Sequence, residues 1–292
     1  MIRLAKMKNA IHKIAAGLLT VVALTALGGL LSATLIRFAP GYGVDERELD
    51  PRLSGASLEA LRSAHRLNSG LLSYYANYLA GVAHGDLGAS QWLGRPVFSL
   101  IRERAPVTLH SVFLAILVAW AAALGLALGG VFIRRLAFDV SGTAASGILM
   151  ALPAGMIATF AVYLRAPVFL AIAAVIFPKV FRYVRNLLDH AYEQPCILAA
   201  RSRGVEPGRM VMRHVVPLIA PALFALLGVS LSMAFGAAIP MEALCDSPGV
   251  GQLAWQGALN RDLPLVVNLT LLITLTTVSV NLLANVAHER IR

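Results

Sequence analysis

In this 292-residue chain the side chains able to do chemistry are few and dispersed. Its seven histidines stand at positions 12, 65, 84, 110, 190, 214 and 288, with no His-Glu-x-x-His pair to hold zinc on one helix face. No Gly-x-x-x-x-Gly-Lys-Ser/Thr run occurs, so the chain encodes no phosphate-cradling loop of its own. Cys196 and Cys245 are too few and too far apart for a zinc cluster or a disulfide framework. No catalytic residue, metal site or cofactor is expected. His110 stands apart because it falls inside an apolar run, where an ionisable group is a functional candidate by default; its place near the outer end of that run weakens the case. With a facing serine it would be the one candidate for an intramembrane hydrolase.

The elements around these residues are built for lipid. The chain is 58% hydrophobic and 14% charged, with a mean hydropathy of +0.73, whereas a soluble domain carries roughly 25% charged residues. A bilayer-spanning helix needs about 20 apolar residues, since no water is present to satisfy its backbone. Five uncharged stretches qualify: 14–36, 105–133, 140–164, 215–241 and 263–287. A sixth, 166–186, qualifies only if Lys179, Arg182 and Arg185 snorkel to the interface. The basic tail 1–13 before the first stretch resembles a signal peptide, but the apolar run is too long and no clear cleavage site follows, so a retained anchor is expected. The net charge of +10 does not gather on one soluble face, and no nucleic-acid partner is expected.

With six spans and the N-terminus inside, the inner pieces hold fifteen Lys/Arg and five Asp/Glu, and the outer pieces hold ten of each. The entire net charge then lies inside, as the positive-inside rule requires, with both termini cytoplasmic. No span carries a mid-membrane Asp, Glu, Lys or Arg, which argues against coupling through a buried titrating group. Hydroxyls and amides remain. Ser230, Ser232, Asn268 and Asn281 are read either as helix-to-helix hydrogen bonds or as the lining of a solute path. Pro153, Pro217 and Pro221 are expected to kink their helices.

Residues 37–104 form an extracytoplasmic segment too long for a plain connector. An acidic stretch, an amphipathic helix over 57–67 and then Tyr74, Tyr75, Tyr78 and Trp92 predict short helices lying on the outer leaflet; a small soluble domain is the alternative. On the inner side, 187–214 predicts a short helix through Ile197–Arg203 stopped at Gly204, followed by a fresh start at Glu206-Pro207.

That loop carries a family resemblance. Ala200-Arg201-Ser202-Arg203-Gly204, then Arg213-His214 and Pro217, resembles the cytoplasmic loop of the permease subunits of binding-protein-dependent ABC importers, in the dipeptide/oligopeptide/nickel branch. Glu242, Ser247-Pro248-Gly249-Val250-Gly251-Gln252-Leu253, Arg261-Asp262-x-Pro264, Asn281-Leu282 and Arg290-Ile291-Arg292 are similar to the same branch, in the same order. The N-terminal half agrees more loosely, at Pro40-Gly41, Gly85-Asp86-Leu87-Gly88-x-Ser90, Arg95-Pro96-Val97 and Arg104-Ala105-Pro106-Val107-Thr108-Leu109.

The resemblance implies an all-α membrane protein of the type I importer permease fold, with six transmembrane helices and a permease core over 105–292. It also implies the bacterial inner membrane, a second similar permease, two cytoplasmic ATPase subunits, an extracytoplasmic solute-binding protein, and a peptide-like or nickel-type solute. Ala200, Arg201, Ser202, Arg203, Gly204 and Glu206 would then meet the ATPase, and the chain would not itself be an enzyme. Two departures stand out. Leu198 occupies the position of the general loop's first glutamate, and the link between the third and fourth spans shrinks to Arg165-Ala166-Pro167. A secondary transporter or channel without an ATPase is the alternative class.

Overall fold

The computed structural model describes residues 2–38, 78, 80–82, 84–133 and 136–291. Among them the chain is helical: α1 (Ile2–Arg37), α2 (Val97–Ile133), α3 (Leu136–Ala151), α4 (Ala154–Tyr163), α5 (Val168–Tyr192), α6 (Pro195–Ser202), α7 (Pro207–Met210), α8 (Val216–Leu244), α9 (Val250–Leu259) and α10 (Leu263–Ile291). A wide π turn, Val211–Val215, joins α7 to α8. The expected amphipathic helix over 57–67, the acidic stretch, Pro40-Gly41, Tyr74 and Tyr75 lie outside the described residues.

Three stretches are long and apolar enough to cross a membrane: Val97–Gly130, Pro207–Leu244 and Leu263–Leu282. The α3–α4 pair makes a fourth if it is one broken span, and α1 contributes a shorter apolar stretch, Leu19–Leu35. The all-helical expectation holds, and three places differ from the six simple spans. The run 140–164 is two helices turned by 104°. Pro153, extended at φ −59° and ψ 145°, has no N–H for a helix and disfavours helical geometry at Leu152, so α3 stops at Ala151. Helix α2 begins at Val97 rather than 105, because Arg102, Glu103 and Arg104 end an apolar run without ending a helix. Helix α5 covers 166–186 only from Val168 and runs on to Tyr192; with Lys179, Arg182 and Arg185 along it, it is not among the three apolar spans.

The chain divides into two compact units, Met1–Glu103 with Ala254–Thr274, and Arg104–Leu253 with Leu275–Arg292. In the first unit α1 meets α10 through small side chains. Ala33 is buried with Leu263, Val267 and Leu271, Thr270 Oγ1 donates to Ser32 Oγ at 3.2 Å, and a Cβ on Gly28 would stand 3.2 Å from Thr274 Oγ1. In lipid such close approach, rather than a hydrophobic drive, holds helices together.

In the second unit α5 is central. Ile172, Ile176, Val180, Val184 and Leu188 recur every four residues, so they form one stripe, and none is more than 2% exposed. That stripe packs on α3, α4 and α8. Phe177 and Phe181 stack at 5.8 Å, and Gly142 of α3 sits so close to the Phe181 ring that a Cβ there would overlap it.

Candidate functional site

The loop 187–214 folds as a helix, an elbow and a second short helix. Gln194 is extended, and Pro195 opens α6 where a missing N–H costs nothing. Ile197 and Ala200 turn inward and are buried, which leaves Leu198, Arg201, Ser202 and Arg203 exposed on the other side. The helix ends in a Schellman motif: Val205 N donates to Ala200 O at 3.3 Å and Gly204 N to Arg201 O at 3.0 Å. The motif needs a left-handed residue, and Gly204 supplies it at φ 75°. Glu206 is extended again, and Pro207 opens α7.

The π turn follows from the next proline. Pro217 offers no N–H, and its ring would collide with the Arg213 carbonyl in a regular α turn. Widening the turn, with Val216 N bonded back to Val211 O, relieves that collision and lets the helix continue into α8. Of the residues expected to meet an ATPase, Ala200 is thus an anchor, while Arg201, Ser202, Arg203, Gly204 and Glu206 are exposed. The Ser202 hydroxyl is spent on Ala199 O at 2.9 Å. Arg201 reaches back toward the end of α5: burial pushes the Tyr192 phenol up, and the Arg201 guanidinium works against that rise.

Ser230, Ser232, Asn268 and Asn281 are internally bonded. Ser230 is fully buried, accepts from Trp120 Nε1 at 2.9 Å and donates to Leu227 O at 2.9 Å. Ser232 Oγ donates to Asn281 Oδ1 at 2.8 Å, joining α8 to α10. Asn268 belongs to the other unit, where its amide donates to Leu87 O and Pro264 O, both at 2.7 Å. His110 is exposed on α2 and makes no hydrogen bond to a serine among the described residues.

Two buried carboxylates form constellations with partners distant in sequence, Thr108 at 134 residues from Glu242 and Ser90 at 172 residues from Asp262. Glu242, at the end of α8, is 0% exposed. Its Oε2 accepts from Thr108 Oγ1 of α2 at 3.0 Å and from Gly251 N of α9 at 2.7 Å, while Thr108 Oγ1 accepts from Val250 N at 2.8 Å. The first-turn N–H groups of α9 have no helical partners, so a carboxylate and a hydroxyl from two other helices cap it. Gly249 and Gly251 are glycines because a Cβ at either would overlap the Glu242 carboxylate. The signal that would have revealed this site is an acidic residue at the edge of an uncharged run, followed by Gly-x-Gly.

Asp262, just before α10, is the second. Its Oδ1 accepts from Leu265 N at 3.1 Å as an N-cap, and its Oδ2 accepts from the Ser90 hydroxyl and from Trp92 N at 3.1 Å. Ser90 Oγ in turn accepts from Leu93 N at 3.0 Å, so the 88–96 turn is stapled to the start of α10. Asp262→Ala removes the cap and leaves buried donors unpaired. A loss of about 2–3 kcal/mol is expected, read as a lower unfolding midpoint of the purified protein, with Asp262→Asn losing less because it still caps.

Comparison with known proteins agrees with the residues described. Residues 92–292 match the family model for "Binding-protein-dependent transport system inner membrane component". The chain is 27% identical to the oligopeptide transport system permease protein OppB of Escherichia coli (strain K12), over 83% of this chain and 85% of that protein. OppB of Salmonella typhimurium is similar to the same degree and extent. A Brucella ovis protein whose name gives it as a peptide permease is 27% identical over 97% of both chains.

Proposed function

The chain belongs to the family of binding-protein-dependent transport system inner membrane components, and on that premise we propose how its elements divide the work of an ATP-driven importer. As a member it is a multi-pass permease subunit of an ABC importer, and this family is not itself enzymatic. We read six crossings: α1, α2, the bent α3–α4 pair, α5, α8 and α10, with both termini and the loop 187–214 on the cytoplasmic side and 37–104 outside. The seven Lys/Arg between Lys179 and Arg213 support that orientation. The solute is peptide-like or of the nickel type; the relatives named as peptide permeases favour the first.

The observation that carries the mechanism is the α6–elbow–α7 unit. It presents Leu198, Arg201 and Arg203 outward from a buried foot at Ile197 and Ala200. A short helix of this kind seats in a groove on a cytoplasmic ATPase, with the guanidinium groups giving charge-assisted hydrogen bonds to its acidic rim. Closure of two ATPase subunits on ATP then pushes α7 and, through the π turn, α8 as a rigid lever. A second, similar permease completes the path, and an extracytoplasmic binding protein delivers the solute. Ser230, Ser232, Asn268 and Asn281 border that path only after helix movement, since each is internally bonded in the state described.

Reconstitution of the permease with its ATPase and permease partners in proteoliposomes tests this reading. Uptake should require binding protein outside and hydrolysable ATP on the ATPase side. Uptake driven by a solute or ion gradient without ATP would assign the chain to the secondary transporters instead.

A further inference from the structure

We propose that Glu242 is the positioning residue that carries the cytoplasmic push across the membrane to α9. The inference rests on the coupling reading above and adds to it the far end of the lever. From Pro207 to Leu244 the backbone is helical without a break, 38 residues, or about 55 Å at 1.5 Å per residue. Its first turns adjoin the exposed elbow, and its last turn holds Glu242. A lever of that length does work only if its far end is fixed to what must move.

Glu242 supplies that fixture. One carboxylate oxygen, Oε2, binds Thr108 Oγ1 at 3.0 Å and Gly251 N at 2.7 Å, and Thr108 closes the ring by accepting from Val250 N. Three helices therefore meet at one buried group. The junction is also buried and tight: a Cβ on Gly251 would stand 2.6 Å from Ile239 Cα and 3.0 Å from Ala238 O, so the first turn of α9 lies directly against the α8 backbone. Packed interfaces of this kind shift as blocks rather than bend. On the topology proposed, this block is the outer end of the path. Displacement of α8 thus moves the N-terminal turn of α9 with it.

The bonds to Oε2 rather than the charge do this positioning. The Thr108 and Gly251 bonds both fall on Oε2, so Glu242→Gln, with its carbonyl oxygen at that position, keeps both acceptor contacts, whereas the Gln252 N–H that also faces the carboxylate need not be kept. Glu242→Ala keeps neither.

The test compares the assembled wild-type, Glu242→Ala and Glu242→Gln transporters in proteoliposomes, recording solute taken up per ATP hydrolysed. The alanine variant should keep basal ATPase, measured without binding protein, within about twofold, because the cytoplasmic elbow is untouched, while uptake per ATP falls tenfold or more; glutamine should restore it to within about threefold. Thr108→Val, nearly isosteric and lacking only the hydroxyl, should lower the ratio at least threefold and decides the matter if the alanine variant does not assemble. An unchanged ratio in Glu242→Ala or Thr108→Val overturns the proposal, and so does a glutamine variant as uncoupled as alanine, which would make the charge itself the requirement. Wild-type uptake that needs no ATP would instead defeat the permease reading on which the proposal stands.

Discussion

Gly251→Ala is expected to yield almost no assembled transporter. The added methyl carbon would lie 2.6 Å from Ile239 Cα and 3.0 Å from Ala238 O, and these are backbone atoms of a helix that cannot swing aside as a flexible side chain would. The Glu242 carboxylate occupies the remaining space at 2.9 Å, so moving it away breaks its bonds to Thr108 and Gly251. Overpacking alone costs about 1–3 kcal/mol. Stripping a buried carboxylate of a donor adds a further penalty of about 1–3 kcal/mol. Together, at about 2–6 kcal/mol, these reach the lower end of a typical domain's stability of about 5–15 kcal/mol, enough to unfold a marginal one. The measurement is the fraction of protein that elutes as a monodisperse complex from size-exclusion chromatography, together with its unfolding midpoint. Gly236→Ala, on the same helix α8 with nothing within 4 Å of its Cβ position, is the matched control and should assemble as the wild type does.

Gly204→Val should assemble normally and transport poorly. No atom lies within 4 Å of the Gly204 Cβ position, so the substitution meets no steric neighbour. Its whole effect comes from φ 75°, a left-handed geometry that costs an L-residue roughly 1–2 kcal/mol and a β-branched one more. The Schellman bonds from Val205 and Gly204 would open, and α6 would lose its set angle to α7. Transport should drop at least tenfold while the folded fraction stays within about 20% of wild type, since a 1–2 kcal/mol local strain falls well inside global stability. Gly204→Asn, which tolerates the left-handed region, should retain most transport. Equal losses in valine and asparagine would mean that side-chain space, not backbone geometry, matters at the elbow.

How far the sequence revealed these features depended on their range. The apolar runs announced α2, α8 and α10 because a spanning helix must be long and continuous, and marked α1 as a helix with a shorter apolar stretch. The elbow was legible for a local reason: glycine after a basic turn and proline three residues later are both helix punctuation. Pro153 was legible as a kink, yet not as a 104° turn, because how far a freed backbone bends is set by packing against α5 and α8. The start of α2 was misplaced because hydropathy marks the edge of lipid, whereas the helix carries on beyond it. The two carboxylate constellations were hidden for a different reason. Thr108 and Glu242 are 134 residues apart, and Ser90 and Asp262 are 172 apart, so no period or local motif pairs them. Their residues stood out in sequence only through the family resemblance, without a stated role.

The resemblance also left the polar residues of the spans open between two roles. Ser230 and Ser232 are bonded to Trp120 and Asn281 with good geometry, as expected of helix-to-helix contacts in lipid. If they also border the solute path, those bonds must exchange during transport.

On the function proposed, the exposed elbow at Arg201–Gly204 receives the push of a separate ATPase. The most direct measurement places a photocrosslinker at Ser202, which is exposed, in the reconstituted complex and maps the captured peptide with and without ATP. A crosslink to an ATPase subunit is expected in both states, with the captured position shifting when ATP closes the dimer. Transport at the wild-type rate with Ser202 captured only by lipid, or by a protein added on the extracytoplasmic side, would contradict it.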